Sequence, residues 1–141
     1  MTEAVQRVRN YMTRSVVTIT PDLSVADAAE RMLANKIRHL PVVHNAQLVG
    51  LITERDLALI DTLTNRQRKK VSIRQVMRTQ PFVCSPDDPL VSVVRVMIEH
   101  KLGSVLVVED GAPIGVFTTI DAMRRLVELA QLMELMGSVD E

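Results

Sequence analysis

The chain has 141 residues, enough for one compact domain or for two short repeats that share a core, and too few for anything larger. Its 47% hydrophobic content is aliphatic, with two Phe, one Tyr and no Trp, which excludes an aromatic platform for stacking nucleic-acid bases. Lys plus Arg count 17 and Asp plus Glu count 17, so no global field steers the protein to nucleic acid or an acidic membrane, and any anion site is local.

In chain order, Met1 to Arg9 carries no apolar signal core, and no later stretch reaches membrane-span length. A β-prone run, Val16 to Thr20, is closed by Pro21-Asp22, which reads as a strand entering a turn. A helix follows, with Ser24 as its N-cap and Val25, Ala28, Ala29, Met32 and Leu33 on its buried face. Leu40-Pro41-Val42-Val43 reads as a buried strand. The turn His44 to Gln47 leads back into a strand, Leu48 to Ile52, which runs into a helix at Thr53-Glu54-Arg55-Asp56. Residues 63–71 form a polar, basic connector, with a phosphate-attracting loop as the alternative, and Ser72 caps a short helix through Met77.

The second half repeats this plan. Residues 11–58 align without a gap on 76–123, with ten identities in 48 pairs, among them Gly50/Gly115, Thr53/Thr118 and Asp56/Asp121. Phe82 to Ser85 is the opening strand, Asp88 the N-cap, and Leu90, Val93, Val94, Met97 and Ile98 the buried helix face. Val105 to Val108 and Ile114 to Phe117 form a hairpin around Asp110-Gly111. A last helix runs from Asp121 to about Met136, with an apolar band wider than one small core needs. The expected fold is mixed α+β: two β-α-β-β-α repeats, each too small to bury both sheet faces alone, packed face to face around a cleft. Residues 1–62 make the first unit with its N-terminal extension, 63–71 the linker, and 72–141 the second unit with its C-terminal helix.

Ile37-Arg38-His39-Leu40-Pro41-Val42-Val43, followed by Gly50-Leu51-Ile52-Thr53-Glu54-Arg55-Asp56, resembles the hallmark of the CBS (cystathionine β-synthase) domain. In the second half Gly103-Ser104 and Thr119-Ile120 depart from it by replacing the basic pairs. The resemblance implies a tandem pair that binds an adenosyl ligand (AMP, ADP, ATP, NAD or S-adenosylmethionine) as a regulatory signal, with no required cofactor. It implies that Asp56 and Asp121 hold ribose hydroxyls, and that Thr53 and Thr118 face ribose or phosphate. It also implies that Thr18, Ile19, Val83 and Cys84 contact adenine, while Leu40, Pro41, Val105 and Leu106 line the pocket. A carboxylate accepts from two vicinal hydroxyls, and a helix start suits phosphate; the competing reading of Thr-x-x-Asp is a capping box, and both roles are compatible.

Arg38 and His39 are the expected phosphate contacts, serving either their own cleft or that of the other half, with Arg55 beside them; the competing reading makes them surface polar residues. Because Gly103, Ser104 and Ile120 bring no cation, the two sites are expected to differ, one favouring phosphorylated ligands. Cys84 is expected to be a buried, inert thiol, and His44 and His100 lack companions at metal spacing. A homodimer built as a four-domain disc, a regulated partner protein and a cytoplasmic location complete the expectation. No nucleophile–base pair, P-loop or metal set points to an enzyme. The rivals are a ligand-free dimeric scaffold, and nucleic-acid binding through Arg66 to Lys70, which the neutral charge disfavours.

Overall fold

The structure is a computed structural model that describes residues 5–14 and 16–140, with side chains through Gly137. Residues 1–4, part of the stretch read above for a signal core, lie outside it. The first repeat contains α1 (Val25–Asn35), β1 (His39–His44), β2 (Gln47–Thr53) and α2 (Glu54–Ala58). The second contains β3 (Val83–Cys84), α4 (Leu90–His100), β4 (Ser104–Glu109), β5 (Ala112–Thr118) and α5 (Thr119–Asp140), and α3 (Asn65–Arg68) lies between the two.

Helix α1 forms where the sequence places it. Val25, Ala28 and Met32 recur on one face, and Ser24 exchanges capping bonds with Asp27, at 3.1 Å and 2.9 Å. Lys36 and Lys101, partners in the repeat, end α1 and α4 in the left-handed conformation at φ 55 and 54. Asp88 is not the cap of α4: its carboxylate accepts from the Ser85 N–H at 2.9 Å, inside the preceding turn, and Pro89 takes the cap position without a side-chain bond. Leu33 and Ile98, expected inside, are 82% and 72% exposed, because the apolar stripe of each helix is wider than the sheet beneath it.

The hairpins superimpose in register. Leu40 pairs Ile52 and Val42 pairs Gly50 in the first, and Val105 pairs Phe117 and Val107 pairs Gly115 in the second. Both turns place two residues at positive φ, Asn45 and Ala46 in one and Asp110 and Gly111 in the other, the geometry of the I′ hairpin turn. The expected opening strand Val16–Thr20 shrinks to a single parallel bridge, Ile19 to Val42, and its counterpart β3 is two residues long. Pro21 and Pro86 follow closely and lack the N–H that would extend either ladder. The expected connector holds the short helix α3, capped reciprocally by Thr64 and Gln67, and Ser72 opens a 3-10 turn, Ile73–Gln75, rather than an α-helix.

Each repeat is closed by a segment of the other. The arm around Val8 to Thr13 lies on the second repeat: Val8 N–H bonds the Asp88 carbonyl, Arg9 N–H the Pro86 carbonyl, and Thr13 exchanges both backbone bonds with Val116 at 2.9 Å. The arm around Ile73 to Arg78 lies on the first repeat in the same way, with Arg78 and Leu51 exchanging bonds at 2.8 and 2.9 Å. The cores are correspondingly mixed: Val8 and Met12 join Val93, Met97, Val105 and Phe117, whereas Ile73 joins Ile19, Met32, Leu40 and Ile52. The repeats also meet directly, through the Leu48 N–H on the Gly111 carbonyl at 2.8 Å. The repeat partner of Leu48 is Pro113, which has no N–H to return that bond.

Candidate functional site

At the end of β2 the chain turns into α2 through Thr53, whose hydroxyl accepts the Asp56 N–H at 3.1 Å. In return Asp56 Oδ2 accepts from the Thr53 N–H at 3.0 Å and from the Thr53 hydroxyl at 2.9 Å. This box holds the Asp56 carboxylate against the sheet, where the residue is only 6% exposed. Its second oxygen faces the arm of the other repeat: Arg78 donates to Oδ1 from Nε at 3.2 Å, with Nη2 also at 3.2 Å. The capping box and the contact with the opposite arm therefore use different oxygens of one carboxylate.

The second repeat builds the same corner. Thr118 and Asp121 exchange bonds at 2.9 and 3.1 Å, and Asp121 is again 6% exposed. The residue that reaches it from the opposite arm is Thr13, whose hydroxyl lies 3.3 Å from Oδ1 and 3.4 Å from Oδ2. Arg124, one turn along α5, approaches Oδ1 at 3.9 Å.

A cavity of about 540 Å³ opens beside the first corner, lined by Arg38, Thr53, Glu54, Arg55, Ala58 and Arg78. Three guanidiniums thus surround one space. Among the described residues the Arg38 side chain is anchored by Glu54 at 3.8 Å, with both side chains largely in water, a contact worth little. The short α2 offers less to an anion than its sequence suggests, since the Glu54 N–H is taken by the Arg38 carbonyl at 2.7 Å and the Asp56 N–H by Thr53. Charge in this cavity comes from side chains. A larger hollow of about 630 Å³ adjoins it between α1 and α2, sharing Arg38, Glu54 and Ala58, with Met32, Leu33, Leu57 and Arg68 also in its walls.

The other expected residues are distributed unevenly. His39 is half-buried at the start of β1, and burial pushes its imidazole below the ordinary 6.5, so it is neutral at pH 7. Ile19 is buried, with its N–H on the Pro41 carbonyl and its carbonyl accepting from Val43, so both backbone groups are used by the sheet. The Thr18 carbonyl is held by Arg31 at 2.9 Å. Leu40, Pro41, Val105 and Leu106 are buried in the sheets. Val83 is exposed, beside Phe82, whose ring lies 4.8 Å from that of His100. Burial and the nearby Asp88 push the Cys84 thiol up to about 11. Gly103 and Ile120 are exposed and Ser104 is half-buried, all around the second corner, and the Gly103 carbonyl accepts from the Thr119 N–H as the Arg38 carbonyl does from Glu54.

Arg78 is absent from the residues that the sequence reading selected. Its signal was present, since it aligns with Thr13 directly after the Met12/Met77 identity, but an arm that crosses to the opposite repeat is invisible in a linear alignment.

Among the described residues no helix is long and apolar enough to cross a membrane, and no group of three or more His, Cys, Asp or Glu residues could hold a metal ion. The fold recurs in known proteins. The chain is 29% identical over 126 residues to inosine-5'-monophosphate dehydrogenase of Korarchaeum cryptofilum, covering 89% of this chain but only 25% of that enzyme. CBSX2, solved in complex with AMP, superimposes with a TM-score of 0.77 at 27% identity, over 88% of this chain and 98% of the other. The CBS domain pair of protein MJ0100, solved with 5'-methylthioadenosine and S-adenosyl-L-methionine, gives 0.75 at 25% identity, over 88% and 98%. These two solved pairs thus hold adenosyl compounds, and the enzymatic relative is matched over a minor part of its length. The CBS domain profile matches residues 8–61 and 73–128, and the chain belongs to the CBS domain family as a tandem pair.

Proposed function

We propose that this chain is a regulatory module whose first-repeat corner binds a phosphorylated adenosyl ligand, while the second corner takes an adenosyl ligand of lower charge. The observation that carries this reading is the cavity ringed by Arg38, Arg55 and Arg78 beside the Thr53–Asp56 box. The positions aligned with those three cations are Gly103, Ile120 and Thr13. Guanidiniums fork onto phosphate oxygens, and in this reading Asp56 Oδ1, the oxygen that Thr53 does not use, accepts from ribose hydroxyls. Thermal-shift measurements with AMP, ADP, ATP, NAD, S-adenosylmethionine and adenosine test the reading, because a ligand that binds only the folded state must raise the melting temperature. Asp56→Ala is expected to remove most of the shift given by AMP. No shift with any of these compounds would reject the reading.

A second copy of the chain is the occupant we assign to α5, and a partner protein receives the signal from that assembly. On α5, Leu126, Val127, Leu132, Met133, Leu135 and Met136 are each at least half exposed, more apolar surface than a helix leaves in water without a partner. Leu33 and Ile98, related by the repeat, extend the uncovered apolar surface on α1 and α4. A monomeric mass in light scattering at micromolar concentration would reject the dimer while leaving the ligand site untouched.

A further inference from the structure

We infer that Arg78 decides the ligand class of the first-repeat cavity by exchanging partners, leaving Asp56 for the phosphates of the ligand when ribose hydroxyls take the carboxylate. The inference rests on the proposed adenosyl site and goes further by assigning selectivity to a residue outside the family hallmark.

The geometry that points to this is specific. Asp56 Oδ2 is fully engaged by the N–H and hydroxyl of Thr53, so Oδ1 is the oxygen left for a ligand, and Oδ1 is the one that Arg78 holds at 3.2 Å. A diol and the Arg78 guanidinium therefore compete for the same atom. Arg78 can yield, because its side chain is 57% exposed and its backbone is fixed independently through Leu51. The pair is open to water on the Arg78 side and buried on the Asp56 side. The guanidinium can therefore leave only when another donor takes the carboxylate, which the ribose hydroxyls do, and a phosphate in the same cavity then receives it. Arg38 and Arg55 line that cavity with it, so phosphate oxygens entering there meet a released third guanidinium. A phosphate-free ligand gains the diol contact but returns Arg78 to water with nothing to replace the ion pair it gave up. One residue thus favours the phosphorylated ligand over the phosphate-free one.

The second corner supplies the internal contrast. Thr13 stands where Arg78 stands, with a neutral hydroxyl at 3.3 Å. The cation near Asp121 is Arg124, 73% exposed at 3.9 Å, a looser contact than that of Arg78 at 3.2 Å, so a diol there displaces no closely held guanidinium.

The test is an NMR titration of the full chain with AMP and, separately, adenosine, read at the backbone amides of Thr53 and Arg55, which line the cavity beside the first corner and not the larger hollow. The wild type is expected to bind AMP at least about tenfold more tightly than adenosine. In Arg78→Thr, which copies the residue of the other arm, that ratio is expected to fall by about tenfold, through weaker AMP binding and unchanged or tighter adenosine binding. If Arg78→Thr fails to give a folded spectrum, Arg78→Gln, which keeps the aliphatic stem, is read in its place with the same expectation. An unchanged ratio, or equal losses for both ligands, would overturn the role of Arg78 while leaving the adenosyl site standing. If neither compound moves these amides in the wild type, the site itself fails and this inference fails with it.

Discussion

The Arg78 guanidinium meets the Asp56 carboxylate at 3.2 Å across the seam between the repeats, 22 residues apart in the chain. Asp56 is nearly buried and Arg78 is not, so the two ends of the contact respond differently to mutation. Asp56→Ala removes the capping box of α2 and leaves Arg78 in water, where it is rehydrated. The expected loss is about 1–2 kcal/mol, rather than the 3–5 kcal/mol of a fully buried pair. Urea unfolding without ligand measures it, and the ligand response of this variant must be judged against that lowered baseline.

Gly50 and Gly115 sit where the arms cross the hairpins. A Cβ on Gly50 would lie 2.8 Å from the Arg78 carbonyl and 2.7 Å from the Met77 sulfur, and one on Gly115 would lie 2.8 Å from the Thr13 carbonyl. Backbone cannot give way as a side chain can, so Gly50→Ala is expected to cost roughly 1–3 kcal/mol and to push the Arg78 arm off β2. Urea unfolding and the amide shifts of Leu51 and Arg78 read both effects. A fully stable variant with an undisplaced arm would show that the approach is looser than described.

Ala46 occupies φ 63 in the first hairpin turn, where its repeat partner is Gly111 at φ 82. An alanine Cβ is strained there and glycine is not, although glycine also loosens the unfolded chain. Ala46→Gly is expected to stabilise the protein by about 0.5–1 kcal/mol, seen as a higher urea midpoint with an unchanged slope. A lower midpoint would contradict the turn geometry.

His39 and Cys84 bound stability at opposite ends of the pH scale. The folded state holds His39 below its ordinary 6.5, so on acidification the unfolded chain takes the proton first, and stability falls as pH drops through 6.5. The folded state holds the Cys84 thiol near 11 against an ordinary 9.0, so the unfolded chain loses its proton first, and stability falls as pH rises from 9 towards 11. His39→Gln is expected to flatten the acid limb of the urea midpoint, and Cys84→Ala the alkaline limb. The thiol is also expected to resist a disulfide reagent at pH 8 until the protein unfolds.

The hairpins, α1 and the Thr-x-x-Asp corners were legible because local chemistry determines them: alternating burial, turn residues at positive φ, and a cap with its partner three residues on. Leu33 and Ile98 misled because an apolar stripe says that a face is covered, not by what. Asp88 looked like a cap, but the Ser85 N–H competed for it within the turn. Arg78 escaped because its role arises from a crossing between repeats, and periodicity describes each repeat alone. The resemblance marked Asp56 and Arg38 but carried no information on the position aligned with Thr13.

The exchanged arms alter what counts as the smallest folding unit. Val8 and Met12 on one arm, and Ile73 with Met77 on the other, complete hydrophobic cores to which they are not adjacent in sequence. At about 1.5–3 kcal/mol for each buried side chain, stripping one arm costs several kcal/mol, a large share of the stability of a domain this size. A polypeptide cut at α3 would yield two fragments that each carry the plug for the other's opening and lack their own. The duplication is therefore denatured as a couple, and disorder begun in either arm is delivered first to the half that the arm covers.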